Sequence, residues 1–499
     1  MLKLAPIFKD HLVLQREKPL RVWGTADTST LVTVTLAGQS ACAETVEGRW
    51  EVTLPAMPAG GPYVLTATDG NDTCTVSDVM LGEVWLCGGQ SNMERAIRDT
   101  AEPEKALATC KTSNVRLYHV GKRAYFDEQF YAEEEQSQWQ LPDAVCCAWW
   151  TAVGYYFAEE LARKLGVTVG LVECNYGGSS VTAWMPEDML NRTAAGQAYL
   201  NDYTDGMKGL TDEEAMQAYQ EYCRYHEAWR KRIDDCYRED PMILWEDALK
   251  KCGENRYPGP WAPNNPLRPH GLYDTMVARI IPYTLRGVLY YQGEADEHRP
   301  ESYAELLTCL ICQWRQDFRD ETLPFLLVQL PMFAYEETKD GTNWAELRRA
   351  QEQVYRNVRN TGLAVILDCG EFCEIHPKEK RIPAHRLYLQ ALREVYHLQT
   401  ADTTAPMLRC AVPENGSMRL SFDNAEGGLV LHGTAGFEVC SADGVWYPAD
   451  VQVNGSELVL SSPKVCCPTG ARYAWINYGD VTLFAQNGLP AAPFLMYHH

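Results

Sequence analysis

Four short stretches hold residue types that together can carry acyl transfer. Gly88-Gly89-Gln90-Ser91-Asn92-Met93 follows the apolar run Val84-Trp85-Leu86. A serine nucleophile needs a sharp turn that exposes its Oγ, with a backbone N–H beside it for the oxyanion. The paired glycines permit that turn. The stretch is not Gly-x-Ser-x-Gly, because Asn92 and Met93 follow the serine, and it has no Gly-Lys-Ser/Thr of a phosphate loop. Asn175-Tyr176-Gly177-Gly178-Ser179-Ser180 follows a second apolar run, and a glycine there can offer its N–H to an anion. Tyr291-Gln292-Gly293-Glu294-Ala295-Asp296 follows a third; the Gln292 amide can donate to an oxyanion and Glu294 can orient its neighbours. Glu374-Ile375-His376-Pro377 follows a fourth, and a histidine beside a carboxylate fits a general base whose partner fixes its tautomer. Each stretch taken singly also reads as an ordinary polar turn. Together they hold a nucleophile, oxyanion donors and a base in the chain order Ser…His.

The elements that must position these residues are strands alternating with helices. The apolar runs 84–86, 167–172, 288–291, 325–330 and 363–367 read as strands. Helical spacing separates them: Val153, Phe157, Leu161 and Leu165 share one face, with Gly166 as C-cap, and Leu306, Leu310 and Trp314 share another. This alternation predicts a parallel sheet covered on both faces, and open sheets of that kind build sites at the carboxyl ends of their strands. Residues 1–80 alternate differently. Val32, Val34 and Leu36 face one way between Thr33 and Thr35, as do Trp50, Val52 and Leu54, which predicts a small β-sandwich. Residues about 200–262 are polar and helix-prone and break the α/β alternation, which reads as a helical insertion. From about residue 401 the period-2 pattern returns, with Asn454-Gly455 as a turn. The expected organisation is a β domain over 1–80, an α/β domain over 81–400 with the insertion, and a β domain over 401–499.

Composition narrows the partners. Hydrophobic residues are 46% and charged residues 22% of the 499, as in ordinary globular proteins. The formal net charge is −22, which repels nucleic-acid phosphates and anionic membranes. No apolar run is long enough to span a bilayer. The first residues, Met1-Leu2-Lys3-Leu4-Ala5-Pro6, lack the features of a signal peptide, so a cytoplasmic location is expected. The 18 cysteines are scattered, and Cys309-x-x-Cys312 has no second such pair to complete a zinc site.

The same four blocks carry a family resemblance. Gly82 to Met93, Asn175-Tyr176-Gly177-Gly178 with Ala183-Trp184-Met185, Tyr291-Gln292-Gly293-Glu294 and Ile375-His376-Pro377 resemble the sialate O-acetylesterase family of the Ser-Gly-Asn-His hydrolase superfamily. The opening Pro6-Ile7-Phe8-Lys9-Asp10-His11 and the late Tyr473-Ala474-Trp475 and Gly488-Leu489-Pro490 are similar too. The resemblance implies a flavodoxin-like three-layer hydrolase core with flanking β-sandwich domains. It implies removal of O-acetyl groups from sialic acid, or from other acetylated glycans such as xylan. By position Ser91 is the nucleophile and His376 the base. The N–H of Ser91, Gly177 or Gly178, and the Gln292 amide form the oxyanion hole, while Glu294, Asn92 and Trp184 contact or orient the substrate. No metal or organic cofactor is implied.

Three positions depart from the family pattern: Gly88 for Ser, Tyr176 for Trp, and Glu374 where relatives often have Asp two residues before the histidine. Glu374 is the first choice for the acid partner of His376, with Asp368 and Glu371 as rivals and a Ser-His dyad as the remaining arrangement. Trp184, Tyr176, Trp229 and Trp245 are available as a sugar platform, although core packing is the commoner role of Trp. A non-enzymatic reading is a glycan-binding protein with an inert core. Hydrolysis of an aryl acetate separates it from the esterase.

Overall fold

The computed structural model describes the chain except residues 28, 29, 241, 242, 244, 400 and 499 and the side chains of 245 and 246. It is a mixed α/β structure that divides into two compact units, residues 1–120, 134–181 and 280–499 forming one, and 121–133 with 182–279 the other. Among the described residues no helix is long and apolar enough to cross a membrane.

The larger unit is built on six parallel strands: β1 (Thr73–Gly89), β2 (Val115–His119), β3 (Val169–Asn175), β4 (Gly287–Tyr291), β5 (Phe325–Gln329) and β6 (Thr361–Val365). Their order across the sheet is β2-β3-β1-β4-β5-β6, with the short antiparallel strand Trp139–Gln140 at the β2 edge. Every residue of β3 to β6 is buried, as a sheet covered on both faces requires. Helix α1 is the single turn Ser91–Glu94; α2 (Ala152–Leu165), α3 (Pro300–Asp317), α4 (Asn343–Asn357) and α5 (Arg381–Glu394) cover the sheet. Helix α2 has its expected bounds. The Thr151 hydroxyl caps its first turn by accepting the Gly154 N–H, and Gly166 ends it at φ 67°. From β1 the chain goes to the edge strand β2 and back through α2 to β3, and then on from β4 to β6 through α3 and α4. Helix α5 packs on α2, and α3 packs on α4.

Strand β1 does not stop at the expected boundary near residue 80. Its first half pairs with Gly60–Thr68 and with Val13–Gln15, and its second half is the central core strand. The N-terminal strands form two sheets, with Val22, Trp50, Val52 and Leu54 of one buried, as are Val32, Val34 and Leu36 of the other. Glu83, fully buried near the middle of β1, accepts from Arg16 Nε, Arg286 Nε, Gln15 Nε2 and the Tyr396 hydroxyl, and so ties segments far apart in sequence. The C-terminal strands make two four-stranded antiparallel sheets and a two-stranded pair. Asn454-Gly455 is the turn between Asp450–Asn454 and Glu457–Ser461.

The second unit is wider than the expected insertion of about 200–262, because it takes in residues 121–133 and starts at 182. Its long helix Asp212–Glu239 opens with a capping box between Thr211 and Glu214. Trp229, Ile233, Cys236, Ala248 and Cys252 form its packed core.

Candidate active site

The chain changes direction across the sheet at β1, so the crevice at the carboxyl ends of β3, β1 and β4 is the switch point where open sheets bind ligands. Ser91 stands there, two residues past the end of β1. The turn before it requires glycine: Gly89 has φ 124°, and a Cβ would overlap the Tyr291 carbonyl oxygen of the neighbouring strand. Ser91 is the first residue of α1, so its N–H has no acceptor within the helix. Its Oγ lies 2.8 Å from His376 Nε2. Both residues are partly exposed.

His376 comes from the loop after β6. The Glu374 carboxylate accepts the backbone N–H of His376 at 2.7 Å and stands 3.7 Å from its Nδ1, within ion-pair reach but too far for a hydrogen bond. The rival acids are engaged elsewhere. Asp368 is gripped by the Arg386 guanidinium of α5, with Nη2 to Oδ2 at 2.8 Å, and Glu371 accepts the Lys378 N–H.

Gly177 lies against Ser91. A Cβ there would come 3.4 Å from Ser91 Cβ and 2.9 Å from Glu94 Oε2, so only glycine leaves the backbone this close to Ser91 without crowding it. Gly178 follows at φ 73°.

Gln292 is placed differently from the expectation that it donates to an oxyanion. It is buried, and its Nε2 faces Gln90 Oε1 at 3.1 Å, Ser179 O at 3.1 Å and Asp296 Oδ2 at 2.6 Å. Its Oε1 accepts from the Tyr303 hydroxyl. An amide has two hydrogens to donate, and protein acceptors take both. Gln292 therefore braces the site in this structure.

Asn92 and Glu294 meet each other beside the histidine loop. The Asn92 amide donates to Glu294 Oε1 at 2.6 Å and to the Ile375 carbonyl at 2.9 Å, directly before His376. Burial raises the Glu294 carboxyl above its usual range, partly offset by the Asn92 hydrogen bond. Trp184 and Trp229 are buried, which removes their faces from a sugar platform. The Trp245 side chain lies outside the described residues.

Three residues of the site were not assigned from sequence. Asp296 is buried and accepts from Ser180 Oγ, Val181 N–H and Gln292 Nε2, joining the loops after β3 and β4. Gln90 Oε1 accepts from Gln292 Nε2 and from the N–H groups of Gly293 and Ala295. Lys380 is buried and donates to Asn92 Oδ1 at 2.6 Å. Asp296 and Gln90 lie within motifs already singled out by sequence. Lys380 sits in the charged run Lys378 to Arg381, which reads as solvated surface.

Comparison with known proteins agrees with this geometry. The chain is 26% identical to the sialate O-acetylesterase of Mus musculus over 540 residues, covering 99% of this chain and 94% of the relative. It is 24% identical to the Homo sapiens sialate O-acetylesterase over 544 residues, covering 99% and 92%. The crystal structure of a carbohydrate acetylesterase from Xanthomonas citri superposes with a TM-score of 0.78 at 29% identity, covering 99% of both chains. The family model described as carbohydrate esterase, sialic acid-specific acetylesterase matches residues 81–221 and 256–369. That span includes Ser91, Gly177 and Gln292 and ends before His376, which the fold brings to the serine from outside it. With just over half its length matched, the chain belongs to the sialic acid-specific acetylesterase family of carbohydrate esterases.

Proposed function

We propose that this chain removes O-acetyl groups from carbohydrates, with acetylated sialic acid as its substrate class, through a Ser91-His376 acyl transfer. The observation that carries the reading is the 2.8 Å contact between Ser91 Oγ and His376 Nε2 at the switch point of the sheet. His376 takes the Ser91 proton as Oγ attacks the acetyl carbonyl carbon. The N–H groups of Ser91 and of Gly177 or Gly178 receive the oxyanion. As the intermediate collapses, the bond to the sugar oxygen breaks and His376 gives that oxygen its proton. Water, deprotonated by His376, then attacks the acetyl-serine and releases acetate. Glu374 steadies the imidazolium through space. Family membership and the named relatives support the acetylated sugar. The order β3-β1-β4-β5-β6 supports a flavodoxin-like core, to which β2 adds an edge strand.

A second reading is action on other acetylated glycans such as xylan. It is favoured by the Xanthomonas citri structure, whose description names only a carbohydrate acetylesterase. The test has two stages. Hydrolysis of p-nitrophenyl acetate by the wild type and by Ser91→Ala establishes the nucleophile. Acetate release from O-acetylated sialic acids against acetylated xylo-oligosaccharides then decides the substrate. An inert wild type would return the chain to the glycan-binding reading.

A further inference from the structure

Lys380 has an unusual setting for a lysine. It is 2% exposed, at the N-cap of α5, and its ammonium donates to an amide oxygen where a buried cation would ordinarily meet a carboxylate. The amide is that of Asn92, the residue after the nucleophile. The other end of that amide donates to Glu294 Oε1 and to the carbonyl of Ile375, the residue before the base. An asparagine amide fits its pocket in two orientations related by a flip. The ammonium only donates while Glu294 Oε1 and Ile375 O only accept, so all three set one orientation, and the ammonium alone holds the Oδ1 end. The flipped amide would set oxygen against Glu294 and Ile375 and its hydrogens against the ammonium.

We propose that Lys380 is a positioning residue: held on Asn92, its charge fixes the amide that anchors the His376 loop beside Ser91. This inference rests on the Ser-His reading above and adds to it a residue that touches neither substrate nor the reacting atoms.

The arrangement depends on the proton. The groups facing Lys380 are Asn92 of α1, Arg95 just after it, Tyr291 at the end of β4, Glu294, Cys369 after β6, and Glu374 in the histidine loop. Burial pushes the Lys380 ammonium down to about 8, opposed by the Glu294 charge and reinforced by Arg95. Burial raises Cys369 to about 12 and Tyr291 well above its ordinary value, so neither titrates in the same window. Below about pH 8 Lys380 is charged and its hydrogen bond to Asn92 Oδ1 is charge-assisted. Above it the neutral amine gives only an ordinary hydrogen bond, so the hold on Asn92 Oδ1 weakens while Glu294 and Ile375 still set the sense of the amide.

The experiment is the pH dependence of kcat and KM on p-nitrophenyl acetate, corrected for spontaneous hydrolysis, for wild type, Lys380→Ala with and without added propylammonium, Lys380→Arg and Ser91→Ala. The wild type should lose kcat above about pH 8. Lys380→Ala should lose on the order of 10²-fold in kcat with KM nearly unchanged, as misplacement without loss of a reacting group does. It should lack the alkaline limb and regain part of its rate with propylammonium. Lys380→Arg should carry the limb to higher pH. A wild type with no alkaline limb, a Lys380→Ala kcat within about threefold of wild type, or a loss confined to KM overturns the proposal. Should Lys380→Ala fail to fold by circular dichroism, an unmoved limb in Lys380→Arg overturns it instead. A silent Lys380 beside a dead Ser91→Ala removes only this inference. An active Ser91→Ala removes the Ser-His reading and this inference with it.

Discussion

Glu374→Gln measures how His376 is supported. Gln keeps the shape and can still accept the His376 backbone N–H that Glu374 Oε1 now takes at 2.7 Å, so the substitution removes charge alone. That charge stands 3.7 Å from Nδ1, and the side chains of His376 and Glu374 are 28% and 44% exposed. At this separation two unit charges interact by about 4.5 kcal/mol at an effective dielectric of about 20 and by about 1.1 kcal/mol at the bulk value of about 80. Exposure of this order places the pair toward the watery end, at about 1–2 kcal/mol. Because the imidazolium forms on the way to the transition state, the loss falls on kcat, about 5- to 30-fold. A carboxylate hydrogen-bonded to the ring and fixing its tautomer would cost on the order of 10⁴. Steady-state hydrolysis of p-nitrophenyl acetate by the two proteins separates the cases. A loss of three orders or more would refute the electrostatic argument and show that the ring closes onto Glu374 during catalysis. A kcat within twofold would refute it from the other side and leave a dyad.

Other substitutions test the remaining parts. Ser91→Ala should reduce aryl acetate hydrolysis by on the order of 10⁴–10⁶ with an unchanged unfolding midpoint; activity within a few-fold of wild type would remove Ser91 as nucleophile. Gln292→Ala should lower the urea midpoint as well as kcat, because the buried acceptors on Asp296 and Gln90 each lose one of several donors, at about 0.5–1.5 kcal/mol each; a fall in kcat alone would restore the oxyanion assignment. Gly177→Ala sets a methyl 3.4 Å from Ser91 Cβ and should lower kcat at least about tenfold with less effect on KM; an unchanged kcat would place the oxyanion elsewhere. Glu83→Gln strips the countercharge from the partly buried Arg16 and Arg286 and should cost about 3–5 kcal/mol in urea unfolding, with little change in kcat of the folded enzyme.

Local signals were legible in the sequence and long-range ones were not. The 3.6-residue spacing of Val153, Phe157, Leu161 and Leu165 and the left-handed Gly166 were enough to bound α2. The Gly-Gly pattern marks the turn before Ser91 because the φ of 124° at Gly89 is a local demand, whereas the Tyr291 carbonyl against it comes from a distant strand. The end of the N-terminal β region was misplaced because β1 runs unbroken through residue 80, and an apolar pattern does not show that one strand serves two structures. The insertion at about 200–262 lies inside a wider unit, because residues 121–133, which precede β3 in the sequence, also belong to it. Gln292 was recognised as a site residue, but its role turned on acceptors at residues 90, 179 and 296, which no spacing reveals. Asp368 looked like a free acid at a strand end until α5 brought Arg386 to it.

The loops after β1, β3, β4 and β6 are cross-linked mainly by polar side chains. Gln90 joins the loop of β1 to that of β4, Asp296 joins β4 to β3, and Asn92 joins β1 to β4 and β6. A hydrogen bond prefers one direction as well as one distance, so each of these cross-links sets the orientation of the loops it joins. A proton transfer across 2.8 Å between residues 285 positions apart needs that orientation. The same design explains why the blocks that read as motifs are rich in Gln, Asn, Asp and Glu. In the proposed reaction Ser91 and His376 do the chemistry, and the polar residues around them hold the four loops in register.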